Sequence, residues 1–324
     1  MEDLVRDVVS LIPIFETVDI KGTPLSILIN FNDLYGFIKR LGNGGSGIVN
    51  CYQEISTGNL YAFKEIVVTD YKQLNNLRTE VDVLCRLSDV TTSSSIVKYH
   101  SSFITKSDAT LIFIIATEYI EGLDLESYLH QIIDKKSFID MSTILRISYW
   151  LFDTLSLLHS NGFVHRDIKP NNIMIDTTNR RLVLIDFGLT CLVKAKKGKY
   201  LTCDSGTFNG TTVFMPPESI NVNKSIKSKF DKLKSIDIWA AGITIYLLTE
   251  NALPWSGNII EQITGSYQIP YKRSREIGDI LNLCLRKNPT DRGQALNIRD
   301  QIASLISSKY FKSTSPASPQ VSSV

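Results

Sequence analysis

Gly42, Gly44 and Gly47, followed by Val49, stand between two strand-like runs in the pattern Gly-x-Gly-x-x-Gly-x-Val. Glycines at that spacing let main-chain amides approach a phosphate with no Cβ in the way. Taken alone the pattern is weak, because Gly-rich hairpins are common and a plain turn explains it as well. Downstream, Tyr61-Ala62-Phe63-Lys64 ends an apolar strand in a lysine, and a buried ammonium is unfavourable unless an anion meets it. Glu80 is the candidate anion: it lies on or beside the apolar stripe of a helix-like segment and would reach Lys64 once that helix docks on the sheet. The plainer alternative is that Lys64 and Glu80 are two unrelated surface charges.

That alternative loses ground at Val164-His165-Arg166-Asp167-Ile168-Lys169-Pro170-Asn171-Asn172 and, after a short apolar strand, at Leu184-Ile185-Asp186-Phe187-Gly188. With these runs the chain resembles the eukaryotic-type protein kinases of the serine/threonine branch. Glycine loop, strand lysine, helix glutamate, catalytic loop and metal loop follow in family order over roughly residues 35 to 310. The resemblance implies roles, since transfer of a γ-phosphoryl group is mostly positioning and neutralisation of charge on phosphate oxygens. Asp167 would orient the substrate hydroxyl and take its proton, and Lys169 would stabilise charge on the γ-phosphate of ATP. Lys64, held by Glu80, would clamp the α- and β-phosphates, and Asn172 and Asp186 would offer oxygen ligands to Mg²⁺.

By the same resemblance the nucleotide would lie among Leu41, Gly42, Gly44, Gly47, Val49, Ala62 and Met174, with Val49, Ala62 and Met174 sandwiching the adenine. Main-chain groups of Glu118 and Ile120 would bond the adenine edge beside the gatekeeper Thr117, and Asp124 would meet the ribose. For the apolar positions a purely core role stays open. His165, Phe187, Leu84 and Tyr99 would form an apolar spine and take no part in the chemistry.

Gly210-Thr211-Thr212-Val213-Phe214-Met215-Pro216-Pro217-Glu218 resembles the family's substrate shelf, with Phe214 for the usual tyrosine and Pro216 for the usual alanine. Glu218 would pair with Arg292, and Asp237 would brace the catalytic loop. Thr91-Thr92-Ser93-Ser94-Ser95 replaces the family's His-Pro-Asn turn. Lys169 and Thr211 match the serine/threonine branch, so protein substrates with Ser or Thr acceptors are implied, with dual specificity open. A catalytically silent pseudokinase, an ATP-binding scaffold, is the alternative; its usual sign is a missing catalytic side chain, and here Lys64, Glu80, Asp167, Lys169, Asn172 and Asp186 are all present. A small-molecule kinase of related fold would lack the shelf. Thr202, Ser205 and Thr207 lie in the activation segment. Thr207, four residues before Thr211, would present a phosphate to Arg166, or else would only shape the shelf.

The elements that must position these residues give an α+β, bilobal, protein-kinase-like fold: a small strand-rich N-lobe with one main helix and a larger helical C-lobe. Residues 31–120 are broken β-branched and aromatic runs interrupted at 75–87, where Leu77, Val81, Leu84 and Leu87 recur at helical spacing. Residues 121–312 read as helical, most clearly at 143–159, where Ile144, Ile147, Leu151, Leu155 and Leu158 form a stripe and Gly162 follows. Glu121-Gly122-Leu123-Asp124 is the expected hinge. Residues 1–30 form an extension on the first lobe, and 313–324 a disordered tail too polar to offset chain entropy.

The 324 residues carry 35 Lys and Arg against 33 Asp and Glu, a net charge of +2, too small to argue for nucleic acid as the main partner, and none is expected. Five cysteines are scattered with no Cys-x-x-Cys, which fits a reducing, cytoplasmic setting. Residues 1–15 are broken by Glu2, Asp3, Arg6 and Asp7, unlike a signal peptide. The apolar runs at 111–117 and 240–249 are far shorter than the roughly 20 residues of a membrane span. In 221–235, Lys224, Lys227, Lys229, Lys232 and Lys234 face one acid, Asp231. That run would attract acidic substrates or be an ordinary solvated loop.

Overall fold

The structure is a computed structural model that describes residues 14–20, 23–44, 47–91, 93–107, 110–192, 211–220, 230–255 and 274–314. In chain order the strands are β1 (Phe15–Ile20), β2 (Thr23–Leu28), β3 (Tyr35–Gly44), β4 (Gly47–Glu54), β5 (Leu60–Val67), β6 (Tyr99–Ser107), β7 (Thr110–Glu118), β8 (Gly122–Asp124), β9 (Phe163–Val164), β10 (Ile173–Asp176), β11 (Arg181–Leu184) and β12 (Cys191–Leu192). The helices are α1 (Phe31–Leu34), α2 (Tyr71–Val90), α3 (Leu125–Asp134), α4 (Met141–Ser160), α5 (Pro217–Ile220), α6 (Phe230–Glu250), α7 (Arg275–Cys284) and α8 (Ala295–Thr314). They fall into two units, Met1–Gly122 with Met174–Gly188, and Leu123–Ile173 with Leu189–Val324.

In the first unit the β-branched and aromatic runs build a seven-stranded sheet in the order β1-β2-β6-β7-β5-β4-β3. Strands β3 to β7 pair antiparallel. The residues expected only as an extension supply two of the strands: β1 and β2 form an antiparallel hairpin, and β2 runs parallel to β6 through Ile27↔Ile104 and Leu28↔Thr105. Ile27 and Leu28 are each 2% exposed, and Thr105 Oγ1 donates to the Leu28 carbonyl at 3.1 Å. Helix α1 then places Phe31 in a ring cluster with Tyr35, Tyr52, Phe63 and Phe103 over one face of the sheet. Lys64, next to Phe63 on β5, points to the opposite face by the alternation of a strand.

Helix α2 is longer than the 75–87 expected, because its start is set by a reciprocal cap. The Asp70 side chain accepts from Gln73 N at 2.8 Å, and Gln73 Oε1 accepts from Thr69 N at 2.8 Å. Such paired side chains satisfy amides that the first helical turn leaves open. Its buried stripe is Leu74, Leu77, Glu80, Val83, Leu84 and Leu87, whereas Val81, expected in it, is only half-buried.

In the second unit α4 begins at Asp140, whose carboxylate accepts from Thr143 Oγ1 at 2.6 Å and Thr143 N at 3.0 Å. These bonds hold its pKa down at about 2. The expected stripe Ile144, Ile147, Leu151, Leu155 and Leu158 is buried. Helix α6 is buried nearly all round through Ile236, Ile238, Trp239, Ala241, Ile243, Ile245 and Leu248, the pattern of a central helix. Its buried hydroxyls turn inward on the helix, Thr244 to Ala240 O at 2.9 Å and Thr249 to Ile245 O at 2.7 Å.

Three expectations change. The lysine-rich 221–235 is not one loop, since α6 starts at Phe230 and takes in Lys234 and buried Ser235; Lys224, Lys227 and Lys229 lie outside the described residues. Helix α8 runs to Thr314, past the boundary expected at 312. Cys191 is disulfide-bonded, a pairing the scattered cysteines gave no sign of and one that sits less easily with a reducing setting. Among the described residues no helix is long and apolar enough to cross a membrane.

Candidate active site

In the first unit Lys64 on β5 meets Glu80 on α2, Nζ to Oε1 at 2.7 Å, and Asp186 Oδ1 at 3.3 Å. Lys64 and Glu80 are therefore not unrelated surface charges. A Cβ added at Gly188 would lie 3.2–3.3 Å from Glu80 Oε2, Asp186 Oδ1 and Lys64 Nζ, so the main chain passes close to the cluster, and a side chain there would require these groups to shift slightly. Gly188 N also donates to Asp186 Oδ1 at 3.1 Å. Burial alone would lower the Lys64 pKa, but the Glu80 and Asp186 carboxylates outweigh it and the ammonium is raised. Glu80 is raised, by burial first and by Asp186, since one cation is shared between two carboxylates. The lysine is held in its charged form by the two anions that act on it.

Leu41, Gly42 and Gly44 lie on β3 and Gly47 and Val49 on β4, with Gly42↔Val49 and Gly44↔Gly47 in register. A Cβ at Gly42 would meet nothing within 4 Å, and Leu41 is 40% exposed; neither behaves as filled core. Ala62 pairs with Thr117, whose Oγ1 donates to the Ala62 carbonyl at 3.4 Å. Glu118 ends β7, Ile120 is buried, and Met174 lies half-buried on β10. Glu121 O accepts from Thr177 N at 2.9 Å. Gly122 has φ +149°, and a Cβ there would collide with the Ile175 carbonyl. Leu84 and Phe187 are buried in this unit, and Tyr99 is half-buried.

In the second unit Asp167 Oδ2 accepts from Lys169 Nζ at 2.7 Å and from Asn172 Nδ2 at 2.9 Å. Asn172 Nδ2 also bonds Asp167 O at 2.7 Å, and Lys169 Nζ meets Thr211 Oγ1 at 3.0 Å. No described residue donates to Asp167 Oδ1. Beneath this loop Asp237, 0% exposed, accepts from His165 N at 2.9 Å and Arg166 N at 2.7 Å and bonds the His159 ring at 2.9 Å. Burial alone would raise the Asp237 carboxyl, yet those partners hold it below the ordinary range. Arg166 has φ +68°, a strained conformation for a non-glycine residue that persists where neighbours over-determine it. Its Nε is engaged by Leu189 O at 2.6 Å. His165 is buried. Asp124 caps α3 through Ser127 N at 2.9 Å and Ser127 Oγ at 2.6 Å, leaving only its remaining lone pairs for a ribose. Glu218 and Arg292 form a bidentate pair at 2.6 and 2.8 Å. Thr202, Ser205, Thr207 and Gly210 lie outside the described residues.

One residue of this network was missed in the sequence. Arg181 on β11 bonds Glu118 Oε2 at 2.8 Å, Asp176 Oδ2 at 2.8 Å and Ser94 O at 3.0 Å. Its only sequence signal was an arginine beside a Thr-Thr-Asn turn, which is ordinary for a surface charge.

A family model described as the protein kinase domain matches residues 35–308. Sperm motility kinase 3A of Mus musculus is 28% identical over 272 residues, covering 82% of this chain and 49% of that protein. Serine/threonine-protein kinase cds1 of Schizosaccharomyces pombe is 30% identical over 280 residues, 81% of this chain and 56% of that protein. NUAK family SNF1-like kinase 2 of Rattus norvegicus is 28% identical over 271 residues, 81% of this chain and 39% of that protein. The chain thus spans about half the length of the curated relatives it matches.

Proposed function

We propose that this chain, which belongs to the eukaryotic-type protein kinase family, transfers the γ-phosphoryl group of Mg-ATP to serine or threonine hydroxyls of protein substrates. The observation that carries this reading is the asymmetry of Asp167. Its Oδ2 is held by Lys169 and Asn172, while Oδ1 has no described donor. A carboxylate fixed by one oxygen presents the other in a set direction, which suits accepting the proton of a substrate hydroxyl. Thr211, bonded to Lys169 at 3.0 Å, supports serine or threonine as the acceptor by keeping the lysine beside Asp167. The Schizosaccharomyces pombe relative, a serine/threonine-protein kinase by name, points the same way.

Lys64, kept charged by Glu80 and Asp186, would bind the α- and β-phosphates, and Lys169 would offset charge on the transferred group. Asn172 and Asp186 would hold Mg²⁺, and the fit is chemical: an amide oxygen and a carboxylate are hard donors, and Mg²⁺ binds through one or two carboxylates while sharing phosphate and water. When bound, the ion neutralises charge on phosphate oxygens. Val49, Ala62 and Met174 would enclose the adenine, with Leu41 and the glycines above the phosphates.

Incubating the full chain with Mg-ATP and arrays of serine, threonine and tyrosine peptides tests this. Asp167→Asn should lower kcat by at least about 10²-fold, the scale of general-base catalysis, with circular dichroism unchanged. Equal turnover in wild type and Asp167→Asn would refute the catalytic role. Phosphotyrosine alone would refute the acceptor class, and a nucleotide-binding but inactive wild type would leave a silent ATP-binding scaffold.

A further inference from the structure

Glu118 departs from the strand ladder in a way the nucleotide-binding reading does not itself explain. In an antiparallel hydrogen-bonded pair two residues exchange both N–H···O bonds. Glu118 donates its N–H to Lys98 O at 2.9 Å. The Lys98 N–H, however, returns to Glu118 Oε1 at 3.0 Å, so the side chain stands in for its own carbonyl. The other carboxylate oxygen accepts from Arg181 Nη2 at 2.8 Å. Arg181 is fixed in turn, Nε on Asp176 Oδ2 at 2.8 Å and Nη1 on Ser94 O at 3.0 Å. Asp176 is 2% exposed; its Oδ1 accepts from Asn179 N at 3.0 Å, and Asn179 Nδ2 joins Arg181 on Oδ2 at 2.9 Å. Every member belongs to the first unit.

We propose that Glu118, Arg181 and Asp176 form a clamp that releases the Glu118 carbonyl from the ladder and holds it for the adenine amino group, which makes Arg181 a positioning residue for nucleobase selection. The inference rests on the kinase reading, which assigns the adenine edge to Glu118. Both bonds of the carboxylate to Arg181 and of Arg181 to Asp176 are charge-assisted, and such bonds are short and strong. Without Arg181 the carboxylate loses its anchor, and the Lys98 N–H is able to turn to the carbonyl with no loss in its own bonding. The acceptor is then shared between Lys98 and the nucleobase. The following residues are held separately, since Glu121 O accepts from Thr177 N and Gly122 lies against the Ile175 carbonyl.

The chemistry of the base gives a readout that mere stability does not move. Adenine offers an amino donor at position 6, whereas hypoxanthine, like guanine, has an acceptor there. A released carbonyl therefore selects ATP over inosine triphosphate. Affinities of both, with Mg²⁺, are to be measured by calorimetry on the full chain as wild type, Arg181→Met, Arg181→Lys and Glu118→Ala. ATP should bind about tenfold more weakly to Arg181→Met, the order expected from one disturbed charge-assisted bond. Inosine triphosphate should change less than about twofold, since its position 6 gains nothing from the acceptor. Arg181→Lys should recover much of the preference, and kcat at saturating ATP should stay within about twofold of wild type, as for lost binding alone. If Arg181→Met fails to fold, because Asp176 is left buried without its cation, Glu118→Ala decides. An unchanged preference for ATP in a folded variant overturns the clamp alone. A wild type that binds no ATP overturns the kinase reading and the clamp with it.

Discussion

Arg292→Ala removes the most deeply buried guanidinium described in the second unit. The Arg292 side chain is 0% exposed and that of Glu218 16%. A guanidinium has five N–H donors, and here each has an acceptor. Nη1 meets Glu218 Oε1 at 2.6 Å and Ser235 O at 3.0 Å; Nη2 meets Glu218 Oε2 at 2.8 Å and Lys287 O at 3.3 Å; Nε meets Arg286 O at 2.8 Å. The cation also sits 4.9 Å from the centroid of Trp239. Truncation leaves a carboxylate and three carbonyls without their donor and opens a cavity beside the ring. Breaking a buried pair costs about 3–5 kcal/mol. At about 2–4 °C per kcal/mol for a unit of this size, the midpoint should fall by roughly 6–20 °C. The low end applies if water reaches Glu218 through its exposed edge. Arg292→Lys keeps the charge but has three donors and no planar fork, so its midpoint should lie between the two. Thermal unfolding followed by circular dichroism, at low and high salt, reads the effect. A desolvated pair is little screened, so the difference should persist in salt. A midpoint for Arg292→Ala within about 2 °C of wild type, less than 1 kcal/mol by the same conversion, would refute the reasoning.

Asp237 has a depressed pKa in the folded chain, so the stability it contributes is present above the unfolded value near about 3.9 and is lost as pH falls through its folded value. The stability gap between wild type and Asp237→Asn should therefore narrow below about pH 4, and a gap constant into acid would contradict the assignment. Gly122→Ala places a Cβ against the Ile175 carbonyl at φ +149° and should destabilise by about 1–3 kcal/mol, the scale of a backbone forced from its conformation; calorimetry showing wild-type stability would mean that the segment yields freely.

Much of the chain was legible before any tertiary contact was known, because the signals are local. The stripe of α4 is a period of 3.6 written into consecutive residues, and the glycines of the β3–β4 hairpin mark a turn by the absence of a Cβ. The pairing of Lys64 with Glu80 followed from one argument: a cation at the end of an apolar strand demands an anion. The motif order supplied Asp167, Lys169, Asn172 and Asp186 as a set of residue types suited to one chemistry. Other features have no local signature. The β1–β2 hairpin joins the sheet through a partner on β6, with Thr105 bonding Leu28 across 77 positions, and no pattern within residues 15–28 names that strand. The start of α6 at Phe230 depends on burial of Ser235, Ile236 and Asp237, which the surrounding lysines disguise as a loop. Arg181 reads as a turn charge until folding brings Glu118, 63 positions away, within hydrogen-bond reach. Residue type and spacing decide which chemistry the chain can carry. Which oxygen of Asp167 is tied, and which oxygen of Glu118 takes the Lys98 N–H, depends on distances that arise only when remote strands and loops pack, since a hydrogen bond fails within a fraction of an ångström of its reach.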